Sequence, residues 1–266
     1  MTELRIVTWN LQGSKGVDVV AVARILGELT DGGEIRVVAL QEVQRRHARA
    51  LAKAWGAKDW RWARKHLPYG PLLWWRAEGL AVLASHDLDN HHVTALTPGI
   101  RIWSYRRRIL QSVRIDHPSA PTDVFNTHLA SHDDPAARAA QAAIVAGQIA
   151  ARRATDPAAG EVLAGDLNAP DERTTLAAFI VLGLRDAWPA VNDGPGYTNP
   201  SGAPYQRLDY ILTSVDVTTT WARVATDSPL IDWPMLSDHL PLAIAGRHST
   251  GIATTTDNGP APEPHR

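Results

Sequence analysis

The middle of the chain contains the stretch Glu161-Val162-Leu163-Ala164-Gly165-Asp166-Leu167-Asn168-Ala169-Pro170. A short apolar run ends there in Gly165, Asp166 and Asn168, which predicts a buried strand with polar groups at its carboxyl end. Because side chains alternate along a strand, Asp166 and Asn168 are expected to point to the same side. The carboxyl ends of strands are where open α/β sheets bind ligands. The alternative is a polar turn that closes the strand, since Gly, Asp, Asn and Pro are ordinary turn residues.

The composition is that of a globular chain rather than of a disulfide-rich or strongly charged one. The 266 residues suffice for one large domain, and their formal net charge is −1. A nearly neutral chain has no overall attraction for nucleic acid, although a local basic surface is compatible with this charge. The lack of cysteine excludes disulfides and thiolate metal sites. Neither a secretory signal nor a transmembrane stretch is evident, so we expect a cytoplasmic location.

Short apolar runs recur along the chain and alternate with amphipathic segments. We predict buried strands at residues 4–9, 35–40, 79–84, 91–95, 109–115, 124–129, 161–165, 207–212, 217–226 and 240–245. Helices are predicted at about 17–30, from the end of the second strand to about 55, and at 135–153 and 172–182. No internal repeat or interior linker interrupts them. The sequence therefore predicts one domain over residues 1–246 and a disordered tail over residues 247–266.

Residues 45–76 combine positive charge with aromatic side chains. The basic residues are Arg45, Arg46, Arg49, Lys53, Lys58, Arg61, Arg64, Lys65 and Arg76, and the aromatic ones are Trp55, Trp60, Trp62, Tyr69, Trp74 and Trp75. Proteins that bind a phosphate backbone or a single strand of nucleic acid combine cations, which contact phosphates, with aromatic side chains, on which bases stack. The alternative is a solvated helix face followed by an aromatic strand.

Polar side chains stand at the ends of seven predicted strands, and their types suit metal and phosphate chemistry. They are Asn10, Glu42, Glu78, His128, Asp166 with Asn168, Asp209, and Asp238 with His239. One such residue at a strand end is more often a capping or solvated group than a ligand. Seven of them are difficult to explain by turn chemistry alone.

These residues lie in a series of motifs that resembles the endonuclease/exonuclease/phosphatase superfamily. The motifs are Thr8-Trp9-Asn10, Leu40-Gln41-Glu42, Glu78-Gly79-Leu80-Ala81-Val82-Leu83, Asn126-Thr127-His128-Leu129, Gly165-Asp166-Leu167-Asn168, Arg207-Leu208-Asp209-Tyr210 and Ser237-Asp238-His239. Each motif is weak alone, but they occur in the family's order and spacing over residues 4–246. The resemblance implies an α/β (α+β) fold of the DNase I-like type. This is a four-layer αββα sandwich in which two packed mixed β-sheets are flanked by helices, and residues 1–246 form the catalytic domain.

The resemblance also implies a divalent metal ion. Glu42, with Asn10 and Asp238, would hold the ion. Hard oxygen ligands in a site shared with phosphate suit Mg²⁺, or Mn²⁺, better than Zn²⁺.

Further roles follow from the same resemblance. Asp209 would orient His239 and keep it protonatable, since a nearby carboxylate favours the imidazolium ion. His128, steadied by Glu78, would contact the scissile phosphate. Asp166 would orient or deprotonate the attacking water, Asn168 would donate to a phosphoryl oxygen, and one arginine of Arg106–Arg108, Arg107 in particular, would add positive charge.

The motifs favour a nuclease within this family. Residues 8–14 and 128–131 resemble the nuclease subunit of cytolethal distending toxins locally. The leading hypothesis is a metal-dependent phosphodiesterase, a DNase-like endonuclease whose partner is nucleic acid, DNA above all. A phosphatase or a sphingomyelinase/phospholipase C-like enzyme acting on a small or lipid phosphoester is the alternative, and a non-enzymatic binding module is the third hypothesis.

Overall fold

A computed structural model describes residues 2–66, 77–100, 104–131, 133–157, 159–170, 173–226 and 231–248. Part of the basic and aromatic segment, with Tyr69, Trp74, Trp75 and Arg76, lies outside the described residues. So does the predicted tail beyond His248. The last strand continues to His248, two residues past the predicted domain boundary.

The first of two six-stranded sheets has the strand order β11-β12-β1-β2-β4-β3. Its strands are β1 (Glu3–Asn10), β2 (Ile35–Gln44), β3 (Asp59–Arg64), β4 (Glu78–Ala84), β11 (Val217–Val224) and β12 (Leu242–His248). β1 and β2 are parallel, and the other neighbouring pairs are antiparallel. The sheet is therefore mixed.

The second sheet has the order β5-β6-β7-β8-β10-β9. Its strands are β5 (Leu88–Ala95), β6 (Ile109–Ile115), β7 (Thr122–His128), β8 (Gly160–Asp166), β9 (Arg185–Asp186) and β10 (Asp209–Thr213). Here β7 and β8 form the parallel pair. In each sheet the parallel pair is central, and its strands are buried on both faces along most of their length.

Helices cover the outer faces of both sheets. α1 (Val19–Thr30) and α2 (Arg45–Trp55) pack on the first sheet, and α3 (Pro135–Thr155) and α4 (Arg173–Ile180) pack on the second. A short α5 (Trp233–Leu236) and a 3₁₀ turn (Gly13–Lys15) lie in connections. None of the described helices is long and apolar enough to cross a bilayer. Two mixed sheets with helices outside confirm the predicted four-layer sandwich.

A buried polar network joins the two sheets near the edge at which β1, β2, β7 and β8 end. Asn126 of β7 accepts a hydrogen bond from Gln41 Nε2 (2.8 Å), and its Nδ2 donates to the carbonyls of Leu40 (3.1 Å) and Ala81 (3.0 Å). The β2–β4 pairing shifts between Leu40 and Val43. Glu42 lies in this irregularity with φ 51°. Such a bulge re-aims a side chain that simple alternation would place elsewhere.

Candidate active site

One edge of the sandwich collects the polar strand ends. The parallel strands β1, β2, β7 and β8 run toward this edge and end at or near Asn10, Glu42, His128 and Asp166, respectively. The antiparallel strands β4 and β10 begin there, at Glu78 and Asp209. Asp166 is the register partner of His128 on one side and of Asp209 on the other. Residues up to 200 positions apart in the sequence therefore line a single site.

The centre of the site is a buried chain of Asp209, His239 and Asp166. Asp209 Oδ2 lies 2.7 Å from His239 Nδ1, and His239 Nε2 lies 3.8 Å from Asp166 Oδ2. Burial alone would lower the pKa of His239, but the charges of Asp209 and Asp166 and the hydrogen bond to Asp209 outweigh burial and raise the pKa to about 10. At neutral pH this imidazole is a cation held between two carboxylates.

Asp166 is itself a perturbed carboxyl group. Burial, with the charges of Asp209 and Glu42, raises its pKa to about 6, while the His239 charge and a hydrogen bond from Asn10 act in the opposite direction. Asn10 Nδ2 donates to Asp166 Oδ2 at 3.0 Å, and the Asn168 backbone N–H donates to Asp166 Oδ1 at 3.0 Å. The carboxylate is thus fixed by two donors but is a stronger base than an exposed aspartate.

Asn168 follows the end of β8 with φ 50°. Its Nδ2 donates to the Leu129 carbonyl at 3.2 Å, and this bond holds the carboxamide beside the loop that leaves β7. Leu167 points into the core, as alternation predicts. The structure therefore brings Asp166 and Asn168 together at the same edge.

His128 is buried and uncharged. Burial, together with the positive charges of Arg108, Lys65 and His239, lowers its pKa well below the ordinary histidine value. Its Nε2 lies 3.5 Å from Asp166 Oδ2, and its Nδ1 lies 3.5 Å from Glu42 Oε1. The nearest carboxylates are therefore those of Glu42 and Asp166.

Glu78, which we expected to steady His128, has other neighbours. Lys65 follows β3, and its backbone N–H donates to the Glu78 carbonyl (3.0 Å), so the two side chains are adjacent. Burial and the charge of Glu42 raise the pKa of Glu78 to about 7, while Lys65 and Arg108 oppose the rise. No hydrogen bond joins the described residues Glu78 and His128, and the charges that act on Glu78 are those of Glu42, Lys65 and Arg108, so its expected support of His128 stays a prediction.

Two cations complete the site. Lys65 is buried, and burial with the charge of Arg108 lowers its pKa to about 8, against the opposing effect of Glu42, Glu78 and Asp166. The charge of Arg108 acts on the same three carboxylates. In the sequence, Lys65 is one cation of a basic segment and nothing distinguishes it from the others. Its burial depends on the pairing of β3 with β4, which composition does not show.

Arg107 is directed elsewhere. Its Nη1 donates to the backbone carbonyls of Arg64 (3.2 Å) and Lys65 (2.6 Å). Of the two neighbours, Arg108 therefore places its charge on the carboxylate cluster, and Arg107 fastens its loop to the end of β3. A sequence of three consecutive arginines carries no signal that separates these two positions.

Ser237 and Trp9 orient the last motif. Ser237 Oγ donates to the Asn10 carbonyl (2.6 Å) and accepts from the His239 backbone N–H (3.1 Å). Trp9 Nε1 donates to the His239 carbonyl at 2.9 Å. These bonds hold Asp238 and His239 against the end of β1. Both residues lie in the sequence motifs, but their role depends on contacts more than 220 residues distant in the chain.

The donor set fits a hard divalent cation. Among the described residues, Asp166, Asp209 and His239 offer ligand atoms that all lie within 4.8 Å of one another. His239 is a poor ligand there, because a protonated imidazole bonded to Asp209 cannot coordinate a metal. Glu42, whose side chain is 23% exposed, follows the register partner of Asn10 in β2, and its Oε1 lies 3.5 Å from Nδ1 of the uncharged His128. Carboxylate and amide oxygens are the ligands that Mg²⁺ and Mn²⁺ favour.

The chain belongs to the Endonuclease/Exonuclease/phosphatase family, whose model matches residues 7–239. Members of this family are phosphoesterase hydrolases that generally use divalent metals. No curated protein matches the sequence significantly.

Solved structures with the same fold extend over most of the chain. An endonuclease/exonuclease/phosphatase from Beutenbergia cavernae is 22% identical, with a TM-score of 0.74, over 93% of this chain and 72% of that one. Truncated Caenorhabditis elegans TDP2 is 20% identical, with a TM-score of 0.67, over 92% and 97% of the two chains. A mannosyl-6-phosphatase from Bacteroides thetaiotaomicron is 16% identical, with a TM-score of 0.70, over 92% and 99%. At these identities the likeness concerns the fold.

Proposed function

We propose that this protein is a divalent-metal-dependent phosphodiesterase that hydrolyses its substrate by in-line attack of water, as a DNase-like endonuclease. The observation that carries the proposal is the Asp209–His239–Asp166 chain. It holds a cationic imidazole next to a carboxyl group whose pKa is about 6. A phosphodiester is anionic and repels hydroxide, so a base and a preorganised positive charge are the two things its hydrolysis needs.

Asp166 is the proposed base. With a pKa of about 6 it is deprotonated at neutral pH and accepts a proton from water more readily than an ordinary aspartate. The hydrogen bonds from Asn10 and from the Asn168 backbone fix the direction of its oxygens. A water molecule held by Asp166 would be aligned for attack.

His239, Arg108 and Asn168 are the proposed stabilisers of the phosphoryl oxygens. His239 stays cationic because of Asp209, and the guanidinium of Arg108 acts on the same carboxylate cluster. Neutral His128 would donate a hydrogen bond to the phosphate rather than a charge. A cation bound by Glu42, Asn10 and Asp238 would act as a Lewis acid and offset the developing negative charge.

The test is hydrolysis of a substrate panel with Mg²⁺ or Mn²⁺. Supercoiled plasmid, RNA, sphingomyelin and phosphoinositides are incubated with the wild-type chain, with and without chelator. We expect nicking of plasmid that chelator abolishes. The Asp166→Ala variant should lose about 10²–10⁴-fold in rate, the usual contribution of a general base. The control is Asp193→Ala, which removes one exposed carboxylate outside the site.

Circular dichroism and the thermal midpoint establish that each variant is folded. A folded Asp166→Ala protein with near wild-type turnover would contradict the proposed roles. Phosphate release from small or lipid substrates without nicking would instead support a phosphatase or a phospholipase C-like enzyme using the same groups. No metal-dependent turnover on any substrate would support a binding module.

A further inference from the structure

The exposed face of α2 carries an uninterrupted set of cations. Arg45, Arg49 and Lys53 are spaced four residues apart and form one ridge, with Arg46 beside it. All four are exposed. Lys15, at the end of the 3₁₀ turn, is exposed near the start of the helix. We call these five residues the basic track.

None of these five cations pairs with a carboxylate among the described residues. Within the described part of the chain, the track makes one side-chain hydrogen bond, from Arg46 Nε to the uncharged Gln44. Other cations of the neighbouring segment are engaged: Lys58 pairs with Asp87, and Arg61 pairs with Asp59. Over its described residues 45–66, the basic segment thus has cations of α2 without a carboxylate partner and cations near β3 that are paired within the protein.

The track is electrostatically unfavourable in the absence of a ligand. Like charges four residues apart on a helix repel each other. Arg45 and Arg46 also occupy the first turn, where the helix dipole disfavours cations, and no acidic residue is present there. An exposed helix gains nothing in stability from this arrangement. A bound anion would relieve both effects.

A cavity lies between the track and Glu78. It has a volume of about 320 Å³ and is lined by Lys15, Arg46, Gln44, Glu78 and the 3₁₀ turn. Glu78 belongs to the carboxylate cluster beside Glu42. The cavity therefore lies between Glu78, at the margin of the carboxylate cluster, and the amino-terminal end of α2. From there Lys53 is eight residues along the helix, or about 12 Å at the usual rise.

We propose that the basic track binds the phosphates of a nucleic acid chain next to the bond that is cleaved. This inference rests on the proposed function and assigns the substrate class and the direction in which the chain leaves the site. On duplex DNA, successive phosphates of one strand advance by about 3.4 Å along the helix axis, so a track of about 12 Å is long enough to contact more than one of them. A small phosphoester would fill the catalytic site and leave the track empty.

The composition of the face distinguishes this occupant from a lipid surface. A helix that lies in a membrane interface needs large apolar side chains beside its cations. The exposed positions of α2 hold Arg45, Arg46, Arg49, Lys53 and the small Ala54. The large apolar residues of this helix, Leu51 and Trp55, are buried against the protein.

The test compares two double variants with the same change in net charge. Arg49→Ala/Lys53→Ala removes the two cations of the track that lie nearest the carboxyl end of α2. Arg185→Ala/Arg247→Ala removes two exposed cations at the opposite edge of the sheets. In the strand register Arg247 lies opposite Glu3, at the start of β1, and Arg185 lies opposite Thr213, at the end of β10. Affinity for a fluorescent oligonucleotide is measured by anisotropy in an Asp166→Ala background, from low to high salt.

We expect the track variant to bind at least roughly tenfold more weakly than the control pair. Its slope of log K against log salt should be smaller by about 2, because each lost phosphate contact removes about 0.9. Equal affinities and equal slopes for the two double variants would overturn the proposal. The proposal would also be overturned if the track variant lost binding only to vesicles of phosphatidylserine and phosphatidylcholine and not to the oligonucleotide.

Hydrolysis of bis(p-nitrophenyl) phosphate, with Asp166 intact, separates this proposal from the proposed function. The ratio of oligonucleotide to small-diester kcat/KM should fall in Arg49→Ala/Lys53→Ala relative to the control pair. If the small diester is hydrolysed but the ratio is unchanged, the track proposal fails and the catalytic proposal stands. If no diester is hydrolysed while the track variant still loses affinity, the catalytic proposal fails instead.

Discussion

At the scale of single residues, burial decides which groups are charged. The pKa values of Asp166 and Glu78 rise to about 6 and 7, and that of Lys65 falls to about 8, with burial as the largest cause in each case. His128 and His239 are both buried, yet their pKa values move in opposite directions, because Asp209 is bonded to His239 alone. One pair of histidines thus supplies a neutral donor and a cation.

The two neighbouring arginines give a prediction at this scale. Arg108→Ala should lower kcat/KM by about 10²-fold or more, because its charge acts on the catalytic carboxylates. Arg107→Ala should have a clearly smaller effect on the rate, since Arg107 binds backbone carbonyls of residues 64 and 65. Steady-state kinetics on the substrate identified by the panel measure both. Equal losses in the two variants would contradict the distinction drawn between them.

At the scale of elements, close backbone approach fixes the strands that carry the site. Gly165 in β8 has φ 154°, and a Cβ atom there would lie 2.0 Å from the Thr127 carbonyl oxygen of β7. No side-chain rotation relieves a contact with backbone. The glycine therefore keeps β7 and β8 close enough to place His128 beside Asp166.

Gly165→Ala should consequently destabilise the fold by about 2–4 kcal/mol, as expected for a forced backbone clash. The matched control is Gly147→Ala in α3, where nothing lies within 4 Å of the added Cβ. Alanine should stabilise that exposed helix position by about 0.5–1 kcal/mol. Urea unfolding measures both changes, and a neutral Gly165→Ala would show that the strands can separate without cost.

A second prediction concerns the junction between β12 and β7. His248 Nε2 lies 2.9 Å from Thr122 Oγ1, and burial lowers the pKa of His248, with Asp216 raising it and His117 lowering it. The unfolded chain then binds the proton more tightly than the folded one. This contribution to stability is complete above pH of about 6.5 and is lost as pH falls below it.

When the pH is lowered from 7.5 to 5.0, the free energy of unfolding should therefore fall less for His248→Gln than for the wild-type protein. The quantity to compare is the difference between the two pH values for each protein, because other histidines titrate in both. Urea unfolding at the two pH values provides it. An equal or larger loss in the variant would show that His248 is not protonated on unfolding.

At the scale of the whole molecule, the site exists because two sheets are held in one register. The Gln41–Asn126 hydrogen bond and the two bonds from Asn126 to carbonyls of β2 and β4 cross the interface directly below the catalytic groups. Asn10 and Glu42 come from the first sheet, and His128, Asp166 and Asp209 come from the second. Sliding of one sheet over the other would separate the base from the proposed metal ligands.

Asn126→Ala should destabilise the protein by about 1–3 kcal/mol, because it leaves buried partners without hydrogen bonds. It should also lower activity in the fraction that remains folded. Exposed Gln148→Ala is the control, with an expected change within about 0.5 kcal/mol. Chemical denaturation followed by tryptophan fluorescence and by circular dichroism measures the change. An unaltered free energy of unfolding would exclude the network as a link between the sheets.

Much of the fold could be predicted from local patterns. The apolar runs placed ten of the twelve strands, with ends moved by a few residues, and the helical periodicities placed α1, α2, α3 and α4. β3, whose tryptophans and arginines are half-buried, was not among the predicted strands. An aromatic strand was only one of two interpretations of the basic segment at residues 45–76. β9 has two residues, too few for any periodicity.

Apolar periodicity and motif order are local properties of a chain, and they predicted the layered architecture, the family and the residue types of the candidate site. The folded chain shows which groups are neighbours. Lys65 lies beside Glu78, the charge of Arg108 acts on the carboxylates while Arg107 binds backbone carbonyls, and the cations of α2 are exposed whereas Arg61 of β3 is paired with Asp59. Burial and electrostatic pairing depend on residues far apart in the sequence. They arise only when two sheets and their bulges bring those residues within a few ångströms.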